Sequence, residues 1–366
     1  MASTPRFLRE YLRPNPAAVE VVETTYVRDR VPVPASLYRP AGARRRLPGW
    51  ILLHGLTGPG RHHASLTRFA RALAAGGAIV FIPEIPEWTR LRVAPALTGP
   101  TVHAALDALA ELGVTEPGRT AVLGFSFGAT QILAAVGDDP ALAERVRAIA
   151  AWGGYHDLHR LFHFGVTGEH TLDGERFLLP PDPYGRWIMG ANYLTRIPGR
   201  EDDDAVARAL EQLAIASGRR GMPAWAPVYD PLKAELRAGL TPDQQVVFDV
   251  FAPPAGEAPS DREFTLSISR ALADAALRTD PILDPGRALA RLRTPTLLAH
   301  GRGDRLIPFT ETVQLDRAIP GGCRIACSIT GLFAHSGAAA GPRGALRSAR
   351  EVARFLGLLH RLLNLA

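Results

Sequence analysis

Hydrophobic and polar positions recur along this chain with two periods, and the switches between them mark its elements. Valine-rich alternation at period two over 19–27 and 31–38 predicts two antiparallel strands. Prolines 32 and 34 suit an edge position, since proline donates no ladder hydrogen bond. The apolar run 47–53 predicts a buried strand. Leu66, Phe69, Ala70 and Leu73 then fall on one face of a helix over about 62–75. Strand 78–82, a helix over about 99–112, an apolar run ending at Gly124, a helix-forming run and strand 146–152 continue the alternation. A short amphipathic helix over 6–13, ahead of Pro14, precedes all of these.

From about 155 to 285 the alternation breaks down into Gly/Pro clusters, tryptophans and helical runs such as 204–216, whose leading acids at 201–204 suit a helix N-terminus. It resumes with strand 296–299, helix 310–318, strand 324–329 and a long final helix over 347–363. Regular strand–helix units on both sides of an irregular segment predict one α/β domain, formed by 1–154 and 286–366, that carries a largely helical cap insertion over 155–285. No internal repeat is visible.

The chemistry concentrates where the apolar run meets a helix, at Gly124-Phe125-Ser126-Phe127-Gly128. Gly-x-Ser-x-Gly between a strand and a helix is the setting of a nucleophile elbow, a tight turn that lifts the serine hydroxyl above the sheet edge. A side chain at Gly124 or Gly128 would crowd that turn. The Phe127 N–H, at the helix N-terminus, is placed to donate to a developing oxyanion. A nucleophilic serine needs a base, and the base needs an acid to orient it. Downstream, Asp304 stands in His300-Gly301-Arg302-Gly303-Asp304-Arg305-Leu306-Ile307-Pro308, just past an apolar strand, and His335 stands in Leu332-Phe333-Ala334-His335-Ser336, between the last strand and the last helix. Asp157, after strand 146–152, competes with Asp304 for the acid role.

With His54-Gly55-Leu56-Thr57-Gly58, Gly-Phe-Ser-Phe-Gly, the Asp304 motif and Phe-Ala-His in this order, the chain resembles the α/β-hydrolase superfamily everywhere outside the insert, in the general form of its dienelactone-hydrolase and peptidase-like branch. The resemblance implies an α/β-hydrolase fold, with an eight-stranded, mostly parallel sheet flanked by helices, and acyl-transfer chemistry at the strand C-terminal ends. It implies Ser126 as nucleophile, His335 as base and Asp304 as the orienting acid, with the amides of Leu56 and Phe127 as the oxyanion hole. His54 shapes the oxyanion loop in this reading. With Phe125, Tyr155, Phe162 and Trp187 it also makes up the expected substrate-binding set. The function that follows is a serine hydrolase cleaving a carboxylic ester or related acyl compound. An amidase or peptidase, or a non-hydrolytic acyltransferase, would use the same parts, whereas a binding module would have no need of an intact Ser, Asp and His.

The remaining composition narrows the partners. The net charge is +6, but the basic residues, all arginine except Lys233, are interleaved with acids and carry no aromatic stacking motif, so nucleic-acid binding is not expected. Cys323 and Cys327 lie in the expected last strand, with Cα atoms roughly 13 Å apart, too far for a disulfide in an extended chain. His159 and His163 share the i,i+4 spacing of zinc ligands, but the glutamate of His-Glu-x-x-His is absent, so no metal is expected, and no cofactor motif is present. The N-terminal residues lack the apolar core of a signal peptide, and no apolar run reaches the ~20 residues of a membrane span. A cytoplasmic enzyme acting on a small-molecule acyl substrate is the expectation. Nothing in the sequence addresses its oligomeric state.

Overall fold

A computed structural model describes residues 3–332 and 345–366. Its strands are β1 (Val19–Arg28), β2 (Val31–Pro40), β3 (Leu47–Leu53), β4 (Ile79–Pro83), β5 (Thr115–Phe125), β6 (Ile149–Trp152), β7 (Glu169–Leu172), β8 (Glu175–Leu178), β9 (Thr296–Gly301) and β10 (Arg324–Thr330). Eight of them form one sheet in the order β1-β2-β4-β3-β5-β6-β9-β10. β1 and β2 pair antiparallel, β2 and β4 pair antiparallel, and every pairing from β4 to β10 is parallel. β5 therefore lies between β3 and β6 inside the sheet, and its C-terminal end points where the chain must turn into the next helix.

The sheet is buried on both faces, which is why its central strands read as unbroken apolar runs. Alternation along β3 sends Trp50 and Leu52 into one core cluster and Ile51 and Leu53 into the other. The Trp50 side is covered by helix Thr4–Leu12 through Phe7, helix Ala64–Ala75 through Phe69 and Leu73, and the final helix Ala345–Leu363 through Leu358, Leu359 and Leu362. The Ile51 side is covered by helices Thr98–Leu112, Phe127–Asp138 and Phe309–Ala318, and its core runs without a break into the segment between β6 and β9.

That segment leaves the sheet at Trp152 and returns at Thr296, although β6 and β9 are neighbours in parallel register. It is mostly helical, with helices Leu158–Thr167, Pro183–Tyr193, Asp204–Arg220, Asp230–Ala238, Pro242–Phe251 and Arg262–Thr279. It also contains the antiparallel hairpin β7–β8, which the sequence pattern did not predict. Its first turn is tied to the sheet domain by Glu311, whose buried carboxylate accepts the backbone N–H groups of His156 and Asp157 at 3.0 and 2.9 Å and the Arg160 Nε–H at 2.8 Å.

Two expectations need correction. β2 is not an edge strand; β1 is. The prolines are tolerated because the β4 register covers only Ala35–Tyr38, and beyond it Pro34 is needed only as an acceptor, its carbonyl taking the Glu84 N–H at 3.0 Å. Cys323 is not in the last strand but in the one-turn helix Gly321–Cys323 ahead of it; both cysteines are free.

Candidate active site

Ser126 follows directly on β5 and precedes helix Phe127–Asp138, with φ +56° and ψ −122°. A non-glycine residue there costs ~1–3 kcal/mol and persists only if its surroundings hold it. Here the Ser126 N–H donates to Trp152 O at 2.8 Å, and its carbonyl accepts the Ala129 N–H at 2.9 Å to start the helix. The flanking glycines are sterically required. A Cβ on Gly124 would collide with the Gly128 carbonyl, and one on Gly128 would stand 2.9 Å from His54 O. The strand thus meets the helix backbone to backbone, leaving the serine side chain at the crest of the turn.

The loop after β3 closes over this crest. A Cβ on Gly55 would lie 3.2 Å from Ser126 Cβ and 3.6 Å from Ser126 Oγ, so the Gly55–Leu56 peptide borders the serine. His54 fixes that peptide. Its Nε2 accepts the Ile85 N–H at 3.1 Å, which leaves the ring proton on Nδ1, and Nδ1–H donates to Gly55 O at 2.8 Å. In a trans peptide the N–H points opposite to the C=O, so holding Gly55 O aims the Leu56 N–H the other way. That N–H makes no hydrogen bond among the described residues. The Phe127 N–H, in the first helical turn, has no intrahelical partner either. Burial pushes the His54 imidazole down to about 4, so it is neutral at neutral pH. From across the cavity, the Tyr184 hydroxyl donates to Leu56 O at 3.1 Å and holds the following peptide as well.

Asp304 is buried, 2% exposed, in the loop after β9. Its Oδ1 accepts the N–H groups of Leu306 and Ile307 at 2.8 and 3.0 Å. Its Oδ2 stands 3.2 Å from His300 Nε2, a ring whose Nδ1 is 2.6 Å from Thr312 Oγ1. Two backbone donors thus orient this carboxylate, while the fully buried His300 beside it donates from Nε2 to Ile307 O at 2.9 Å. Asp157 is differently engaged: its Oδ1 caps helix Leu158–Thr167 by accepting the Arg160 N–H at 2.8 Å. His335 lies outside the described residues. His300 was not singled out in the sequence. Its only signal there was a polar residue near the end of an otherwise apolar strand.

A cavity opens over Ser126. It is lined from the sheet domain by Leu56 and Phe127 and from the inserted segment largely by apolar side chains such as Leu161, Phe162 and Met189. Tyr155 and Phe162 of the expected binding set are on its wall. Tyr155 is held rigidly, its hydroxyl donating to Leu283 O at 3.0 Å and accepting from Gln131 Nε2 at 3.1 Å. His54, Phe125 and Trp187 do not line it. His54 is buried behind the loop that it holds. Phe125 alternates to the other face of β5 and packs edge-on against Phe69 and Trp152. Trp187 is fully buried within the insert, with its Nε1–H donating to Phe251 O at 2.9 Å. The insert histidines go to separate partners, His159 to Asp274, His163 to Glu169 and His156 to Arg160.

No family profile matches the chain, and no curated protein matches it. Solved structures do match. Esterase Est22 superposes with a TM-score of 0.51 at 14% identity, over 97% of this chain and 82% of that one. A 2,6-dihydroxy-pseudo-oxynicotine hydrolase gives 0.48 at 16% identity, over 99% and 73%. An acetyl xylan esterase from Paenibacillus sp. R4 gives 0.45 at 15% identity, over 94% and 86%. Likeness at such identities concerns the fold. The likeness to Est22, with the mostly parallel eight-stranded sheet and its flanking helices, makes this the α/β-hydrolase fold.

Proposed function

We propose that this protein is a serine hydrolase that cleaves a carboxylic ester through an acyl-enzyme on Ser126. The carrying observation is the Ser126 turn itself. A non-glycine residue is held at φ +56° on a cavity wall, beside two backbone N–H groups that have no partner among the described residues. In this reading Ser126 Oγ attacks the ester carbonyl while His335 takes its proton. The Leu56 and Phe127 amides receive the oxyanion, a single such donor being worth ~3–4 kcal/mol in other enzymes. His335 then delivers the proton to the departing alkoxide. Water, activated by the same base, hydrolyses the acyl-enzyme and frees the acid. Asp304, held by its two backbone donors, orients the imidazole and balances its charge.

Residues 155–285 act as a cap that sets substrate choice. Their support is positional: they leave the sheet at the strand end where Ser126 stands, and they supply most of the cavity wall. A fluorophosphonate probe should label wild-type protein at Ser126 and fail on Ser126→Ala. That variant should lose at least a thousandfold in p-nitrophenyl ester turnover with an unchanged circular dichroism spectrum. Labelling elsewhere, or turnover retained above that level, rejects the nucleophile.

A further inference from the structure

Charged side chains are scarce on the cavity wall, and one of them is an arginine. Arg186 sits in the first turn of helix Pro183–Tyr193. Its Nε–H donates to Phe251 O at 2.7 Å and its Nη1 to Gly165 O at 3.2 Å. A guanidinium carries five N–H donors. Three therefore remain, and among the described residues none has a partner.

Two other poorly exposed arginines of this protein meet a carboxylate: Arg28 meets Glu87 at 2.7 Å and Arg61 meets Glu84 at 3.0 Å. Arg186 is within ion-pair distance of no acid among the described residues. Asp182, also on the cavity wall, adds a favourable field, but its Oδ1 is engaged in capping the same helix through the Tyr184 N–H at 3.0 Å. Burial lowers the Arg186 pKa to about 10, which still leaves it cationic at neutral pH. Removing a charge from water costs several kcal/mol unless an opposite charge repays it. The two carbonyls hold the guanidinium plane but cannot neutralise it.

We infer that Arg186 receives a carboxylate of the substrate, so that the enzyme's preferred esters are anionic, with the carboxylate separated from the scissile carbonyl by an apolar spacer. The inference rests on the serine-hydrolase reading and specifies its substrate class. Planar Nη1 and Nη2 donors match a carboxylate fork. Leu161, Phe162 and Met189, on the same wall, suit the methylenes between the two ends. Monoesters of dicarboxylic acids have this layout.

The test compares p-nitrophenyl monoesters of succinate, glutarate and adipate with neutral p-nitrophenyl alkanoates of equal chain length. Wild type should favour at least one anionic ester over its neutral counterpart by tenfold or more in kcat/KM, chiefly through KM. Arg186→Met should lower that ratio at least tenfold, and Arg186→Lys should restore part of it. An unchanged ratio in Arg186→Met assigns the arginine to bracing the Phe251 and Gly165 carbonyls only, and overturns the inference. Should Arg186→Met fail to fold, the wild-type comparison decides alone, because no preference for any anionic ester also overturns it. Calorimetric titration of monomethyl glutarate onto Ser126→Ala separates the two readings. Binding there without fluorophosphonate labelling of the wild type keeps the carboxylate site and rejects the hydrolase. Labelling with turnover of neutral esters alone does the reverse.

Discussion

His54 does not line the cavity, and in the proposed mechanism it acts through the peptide that it holds. Its two ring nitrogens bridge the Ile85 N–H and Gly55 O, and the second bond sets the direction of the Leu56 N–H. Truncation to alanine frees that peptide and leaves a buried donor unpaired, a loss of ~1–3 kcal/mol in stability. In the proposed mechanism the peptide's N–H matters most when charge develops on the ester oxygen. His54→Ala should therefore lower kcat by about ten- to a hundredfold and leave KM within a few-fold, because a fully lost donor costs ~10²–10³. Steady-state kinetics on one p-nitrophenyl ester check this. A variant that raises KM while kcat holds would place His54 in substrate binding instead.

Among the elements, helices Leu158–Thr167 and Pro183–Tyr193 of the insert show why two aromatic residues that look alike in sequence should behave differently. Phe162 lies on the cavity wall, whereas Trp187 is fully buried between Phe251 and Tyr229. Phe162→Ala should change the ratio of kcat/KM between short and long acyl esters, at a stability cost of its own because the ring is also buried. Trp187→Ala should destabilise by ~3–5 kcal/mol, through lost burial and a cavity that the insert cannot refill. Urea unfolding alongside a chain-length series separates the two. If Phe162→Ala keeps the parental profile, the cap does not select the acyl group at this position.

For the whole molecule, buried histidines link folding to pH. Burial holds His54 at about 4 against an ordinary value of 6.5, and it lowers His156 and His170 as well. Below pH 6.5 the unfolded chain takes up protons that the native state refuses, so stability is complete above that pH and falls as pH drops toward 4. His54 alone accounts for about 3 kcal/mol over that window, at 1.36 kcal/mol per unit. Urea midpoints followed from pH 7.5 to 4.5 should decline for wild type and decline less steeply for His54→Ala. Parallel curves for the two proteins would remove His54 as a source of the acid sensitivity. Independently, kcat/KM should rise with pH through a value near ~6.5 if an imidazole serves as the base.

Local physics made the sheet domain legible in the sequence. Apolar runs such as Leu47–Leu53 can be satisfied only between two helical layers, and Gly124 and Gly128 betray the turn because backbone meets backbone there. The loop after an apolar strand singled out Asp304 in the sequence, but the two backbone N–H groups that hold its carboxylate come from the fold of that loop. Other features depend on contacts between residues far apart in the chain, which periodicity does not encode. The expected binding set illustrates this: strand alternation turned Phe125 to the opposite face, and the packing of the insert closed over Trp187. The Glu311 carboxylate that ties down the first turn of the insert, and the His54 ring that aims a peptide, join segments 31 to 155 residues apart. Arg186 is one arginine among many in the sequence. Only the tertiary structure sets it on the cavity wall with two carbonyls for support and no carboxylate partner among the described residues. A charge is significant or ordinary according to what lies across from it, and that is decided by the fold.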